Sequence, residues 1–191
     1  MAGRQAKLLG KADFERVLKE LTYYSDPHRA LAMFLLSVRA GLRAAEIAGL
    51  EWSMVLDASG RIADVMNLED RIAKKKSGRQ IPIHRDLRAA LQTLLRHSSG
   101  EGPVIRSKSG GQMKPRSVVN WFRVLYGDLT LRGCSSHSGR RTFITRAARV
   151  VHRAGGSLRD VQLLAGHRSI AVTQRYIEGG SDIQKKLISL L

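Results

Sequence analysis

The stretch LAGHRSIAVTQRY, residues 164–176, sets a histidine, His167, nine positions before a tyrosine, Tyr176. An α-helix turns about 100° per residue, so nine residues leave two side chains roughly half a turn apart. On one unbroken helix the two would face opposite ways. Gly166 and Ser169 argue for a break, because helices commonly stop at glycine and start after a capping serine. Upstream, SLRD (157–160) reads as a capping box, Ser157 with Asp160, opening a short helix with Leu158, Val161 and Leu164 inward. The whole stretch then reads as helix, joint, helix, the second helix running through Tyr176. His167 falls in the joint, where it can converge on the tyrosine.

Working back toward the N-terminus, the same reasoning gives a mostly helical chain. The segment from Ser138 to Ala154 is a helix burying Phe143, Ile144, Ala147 and Val151, stopped at Gly155-Gly156. Ser117 to Tyr126 is a helix offering Val118, Trp121, Phe122 and Leu125 to the core. Asp86 caps a helix with Leu87, Leu91, Leu94 and Leu95 inward. DPHRALAMFLLSVRAG (26–41) has Asp26 as cap, Pro27 at the first helical position and Gly41 past the end. It is apolar nearly all round, which predicts a buried helix. A short helix follows in LRAAEIAGL, and Asp13 is placed to cap one carrying Phe14, Val17, Leu18 and Leu21. Between Glu51 and His84 the pattern changes to β-branched and aliphatic residues separated by turn signals, Ser59-Gly60 and Ser77-Gly78. Three short antiparallel strands are predicted there, with the lysines of KKKSGR near the last turn. The fold class expected is mainly α with a small three-stranded antiparallel sheet. The first ten residues read as a loose basic lead-in.

The chain has 191 residues, 43% of them hydrophobic, enough for one domain with a real core. Lys and Arg number 33 against 16 acids, a net charge of +17. Such an excess repels itself unless an anionic partner neutralises it, and nucleic acid leads, ahead of an anionic membrane surface. Charge alone fits a basic accessory protein equally. The single cysteine, Cys134, excludes an internal disulfide and suits a reducing compartment. The longest apolar run, Ala30 to Val38, is too short to span a bilayer, and MAGRQAKLLGK lacks a signal peptide's apolar run. A cytoplasmic protein is expected. Its histidines and cysteine show no metal-ligand spacing, so no metal and no cofactor are expected.

Some polar residues sit in places that ask for a partner. His137 and Arg140 share a face at a helix start, and Arg140 lies on the stripe continued by Phe143 and Ile144. A cation there needs either an internal carboxylate or a bound anion, and a helix start favours the anion. Arg43 and Glu46 have the spacing of an ordinary surface ion pair. Lys74, Lys75 and Lys76 suit a solvated hairpin turn. His167 alone suits a helix junction, and Tyr176 alone a half-buried aromatic.

Taken together and in order, these residues resemble the tyrosine recombinase, or phage integrase, family. The matching segments are AGLRAAEIAGLEW (40–52), AKKKSGRQIPI (73–83), HSGRRTFIT (137–145) and LAGHRSIAVTQRY (164–176). The resemblance implies the family's catalytic-domain fold over residues 1–191, with a C-terminal tail helix at 181–191 and without the N-terminal core-binding domain. It implies strand breakage and rejoining on double-stranded DNA, with neither metal nor cofactor. Arg43 and Arg140 would clamp the phosphate, and Tyr176 would attack it to give a 3′-phosphotyrosine. His167 would hydrogen-bond the phosphate, and His137 would accept the tyrosine's proton. A lysine, Lys74 by the count back from Pro82, with Lys75 and Lys76 beside it, would protonate the leaving oxygen. Glu46 would orient this corner.

The chemistry suits the residue types. A free tyrosine is ionised only about one part in a thousand at neutral pH. The transition-state charge must be met by fixed cations, and a planar guanidinium grips two phosphate oxygens at once. Gly139 departs from the leucine usual between His137 and Arg140, and Glu178 stands where a histidine is common. In the family the tail, here with Ile183, Leu187, Ile188 and Leu191 on one face, docks on a neighbouring subunit. A homo-oligomer on DNA, a tetrameric synapse, is therefore expected, and no membrane partner. Two other readings remain: a silent DNA-binding relative, and a topoisomerase using the same tyrosine chemistry on one duplex.

Overall fold

The computed structural model describes residues 5–73, 77–176 and 188–189. The chain forms two compact units, Met1–Phe143 and Ile144–Leu191.

The first unit is built around one buried helix. Helix α1 is Lys11–Leu21, α2 Pro27–Arg39 and α3 Ala44–Gly49. Two strands follow, β1 Val65–Leu68 and β2 Arg79–Pro82, then α4 Arg85–Arg96 and α5 Pro115–Asp128. Asp26 caps α2 as its sequence predicts, accepting the Arg29 N–H at 3.0 Å. Every residue from Ala32 to Val38 is buried, so α2 is the centre of the core, with α4 packed on it and α3 on α5. Trp52, Phe34, Phe122 and Met66 are fully enclosed beside it. Burial of such side chains is worth about 1.5–3 kcal/mol each.

The sheet has two strands, not three. β1 and β2 pair antiparallel with Val65 opposite Pro82 and Leu68 opposite Arg79. The segment expected as the first strand starts with a single helical turn at Trp52–Met54 and touches the rest only through the bridge Leu56–Ile62. The cause is Asp57, whose carboxylate takes the N–H groups of Ser59 and Arg61 at 2.8 and 3.0 Å. That side-chain turn supplies hydrogen bonds a ladder would otherwise provide.

Other boundaries shift for similar local reasons. Gly10 precedes α1, and Asp13 reaches back to its N–H at 3.1 Å. His84, not Asp86, caps α4, its Nδ1 accepting the Asp86 N–H. Residues 5–10 are not loose. The Lys7 N–H reaches the Gly133 carbonyl at 2.9 Å, and the Leu9 N–H reaches Thr142 Oγ1 at 2.9 Å. Leu9 is buried.

Helix α6, Ser138–Val150, starts in the first unit, and a short turn Val151–Ala154 follows it. In the second unit, α7 is Leu158–Ala165 and α8 Ile170–Gln174. The capping box is present, with the Ser157 N–H on Asp160 at 2.8 Å. Gly166 ends α7 with φ 60° and ψ 43°, a left-handed conformation that glycine adopts without strain. Ser169 then caps α8, accepting the Ala171 N–H. The break predicted between His167 and Tyr176 is there, although α8 stops two residues before the tyrosine. The buried face of α7 is Val161, Gln162 and Ala165, turned from the expected one. No helix among the described residues is long and apolar enough to cross a membrane. The lysine turn 74–76 and nearly all of the expected tail helix lie outside the described residues.

Candidate active site

Two groups of polar side chains stand out, one in each unit. In the first, Arg43 precedes α3 and Glu46 lies in that helix's first turn. The Arg43 N–H donates to Glu46 Oε2 at 2.8 Å and its Nη1 to Oε1 at 2.7 Å. This is not the surface ion pair the spacing allows. The Glu46 side chain is 0% exposed and Arg43's is 20% exposed. Arg79, at the start of β2, closes the arrangement with Nη1 on Oε1 and Nη2 on Oε2, both at 3.0 Å. Burial alone would raise the Glu46 pKa. Hydrogen bonding and charge from Arg79, then from Arg43, overcome it and hold the carboxyl at about 2, far below its ordinary 4.5. Glu46 is therefore a fixed anion over the working pH range.

Arg140 sits in the first turn of α6, 5% exposed. Its Nη1 donates to the Gly41 carbonyl at 2.6 Å. The buried cation is seated on a backbone carbonyl rather than on the internal carboxylate that composition would suggest, and that carbonyl belongs to the turn leading into Arg43. Gly41 has φ +65°, and a Cβ there would strike the Phe143 ring. Glycine is thus required twice over at the residue that joins the two arginines. His137, one residue before α6, is exposed, its backbone N–H on Ser135 Oγ. Gly139, the departure noted above, is explained by close packing. A Cβ on it would lie 2.9 Å from both Ser37 Cβ and Val38 Cγ1 on α2.

In the second unit the joint brings His167 and Tyr176 together. Their rings stack with centroids 5.7 Å apart and planes 23° from parallel. The His167 backbone is held at both ends by Gln162. The Gln162 side chain donates to the His167 carbonyl at 2.8 Å, and the His167 N–H reaches the Gln162 carbonyl at 3.1 Å. The imidazole Nδ1 meets Thr173 Oγ1 at 3.0 Å, and Thr173 is fully buried. Fixing Nδ1 fixes the ring and leaves Nε2 as the nitrogen turned to other partners.

Three residues of this geometry were not singled out in the sequence. Arg79 carried a signal, since it shares a strand face with buried Ile81. Gln162 and Thr173 carried none, being polar residues with no motif of their own.

The model of the phage integrase family matches residues 7–180. The chain belongs to that family. Within it, the chain is 32% identical over 158 residues to the tyrosine recombinase XerC of Myxococcus xanthus, a match covering 78% of this chain and 50% of that protein. It is 30% identical over 184 residues to XerC of Actinobacillus succinogenes, covering 92% of this chain and 59% of the relative. The chain thus spans about half the length of the curated relatives it matches. Solved structures of family members share its fold. The integrase of transposon Tn1549, in complex with a circular intermediate DNA, superposes with a TM-score of 0.74 at 20% identity, covering all of this chain and 67% of that one. XerA recombinase gives 0.73 at 20% identity, covering 96% and 64%. A lambda integrase dimer bound to a core site gives 0.70 at 20% identity, covering 92% and 49%.

Proposed function

We propose that this chain is the catalytic module of a site-specific DNA recombinase that cuts and rejoins strands through Tyr176. The observation that carries the reading is the pairing of Tyr176 with a locked His167. Nothing in a merely DNA-coating protein calls for that pairing, whereas a phenol attacking a phosphodiester requires a neighbour that manages charge. Membership of the family and the likeness to integrases solved on DNA support the same reading.

In this mechanism Arg43 and Arg140 hold the non-bridging oxygens of the attacked phosphate, and His167 adds a hydrogen bond. The Tyr176 oxygen attacks phosphorus while His137 takes its proton. The bond to the 5′ oxygen breaks, and a lysine of the turn, Lys74 by position, gives that oxygen a proton. The 3′ phosphate is then esterified to Tyr176. A 5′ hydroxyl from a second strand reverses each step, so the phosphoester bond energy is retained and no ATP is consumed. Glu46 orients Arg43 throughout. The substrate is double-stranded DNA, attracted by the net charge of +17. Recombination further requires several copies at a synapse, and we place the work in the cytoplasm.

The test is a nicked DNA substrate that loses a short strand on cleavage, run on a denaturing gel. The wild-type chain gives a covalent protein–DNA band. Tyr176→Phe gives none while still binding DNA. A band that survives in Tyr176→Phe would remove the proposed nucleophile.

A further inference from the structure

Glu46 has more partners than its task of orienting Arg43 requires. Each carboxylate oxygen accepts twice, once from Arg43 and once from Arg79. The Arg79 side chain is 5% exposed and spends both terminal nitrogens on Glu46. Arg43 spends one terminal nitrogen, is 20% exposed, and among the described residues makes no hydrogen bond through Nε or Nη2. The three side chains thus hold two cations and one anion, with one cation buried against the anion and the other keeping an open edge.

That asymmetry has an electrostatic consequence. If Glu46 faced Arg43 alone, the two would form a neutral pair, and an approaching phosphate would meet little net charge. At low effective dielectric, neutralisation by a partner at hydrogen-bond distance is strong. With Arg79 in place, the negative charge is already matched. We propose that Arg79 is a positioning residue that takes up the charge of Glu46, so that Arg43 keeps its positive charge and its open edge for the scissile phosphate. The two parallel hydrogen bonds from Arg79 also fix the plane of the carboxylate, and hence the direction in which Arg43 is held. This inference rests on the proposed role of Arg43.

The experiment measures single-turnover cleavage of the nicked substrate at saturating protein, for the full chain and four variants. Arg79→Gln slows cleavage by about tenfold or more, less than the loss on deleting a group that touches the reacting atoms. DNA affinity stays within about threefold, because Arg79 is buried and adds no phosphate contact of its own. Arg79→Lys, which keeps the charge, retains more activity than Arg79→Gln. The decisive protein is the double variant Glu46→Gln with Arg79→Gln. It has no buried anion left to offset, so it cleaves several-fold faster than Arg79→Gln alone. A simple structural brace predicts the reverse, because the double variant loses both halves of the brace. A double variant as slow as the single one, or a single variant as fast as wild type, overturns the proposal. Should Arg79→Gln fail to fold, the double variant decides alone, and a rate more than about a hundredfold below wild type overturns it. Arg43→Gln separates the two levels. Wild-type cleavage by that variant refutes the role of Arg43 itself, while loss there beside normal Arg79→Gln refutes only the role of Arg79.

Discussion

Gly41→Ala tests the joint between the two arginines. Two costs combine. An alanine at φ +65° occupies the left-handed region, at about 1–2 kcal/mol. Its Cβ also meets the Phe143 ring, whose Cγ lies 3.1 Å away, and overpacking of that kind costs about 1–3 kcal/mol. The sum is about 2–5 kcal/mol, and a mid-range loss of about 3 kcal/mol lowers Tm by about 6–12 °C in a chain of this size. Gly60 supplies the control, because it has φ +72° and nothing within 4 Å of an added Cβ. Gly60→Ala therefore shows only the backbone cost. Urea unfolding of the two variants isolates the collision as their difference. A Phe143 ring that moves aside also moves the start of α6, so Gly41→Ala loses strand cleavage through Arg140 as well. Equal loss of stability in the two variants would refute the packing argument. A stable Gly41→Ala protein with normal cleavage would refute the link between this turn and Arg140.

Thr130 has φ 51° in the turn after α5, where the Leu131 N–H returns to the Tyr126 carbonyl at 2.8 Å. Thr130→Gly relieves about 1–2 kcal/mol of strain against about 0.5–1 kcal/mol of added chain entropy, so it stabilises by about 0.5–1 kcal/mol in urea unfolding. A less stable variant would contradict that assignment. Glu46 governs acid behaviour, because its folded pKa of about 2 lies below the ordinary 4.5. Its contribution is complete above pH 4.5 and is lost as pH falls toward 2, so wild type loses stability over that window more steeply than Glu46→Gln. Parallel pH curves would show that the carboxylate is not linked to folding.

What could be read in the sequence was local. Asp26, Ser157, Gly166 and Ser169 each act on a backbone group within a few residues, so their spacing predicts the helix ends and the joint that holds His167. The side-chain turn at Asp57 is equally local but reads much like a strand end, and the third strand was lost there. The face of α7 was misjudged because Gln162 looks solvent-loving, yet its amide is buried to hold His167. The cage around Glu46 was half legible. Arg43 is three residues from it, but Arg79 is 33 positions away and is brought in by the pairing of β1 with β2. Spacing along a chain carries no trace of such a partner.

The missing side chain at Gly139 ties two distant stretches into one heritable piece. Ser37 and Gly139 stand 102 positions apart, yet the backbone of α6 rests where a bulkier residue would wedge it off α2. A segment grafted from a relative that carries leucine at that place will seat in this chain only if its slimmer counterpart on α2 is exchanged with it. Chimeras cut between the two will misfit even though every junction falls in a loop.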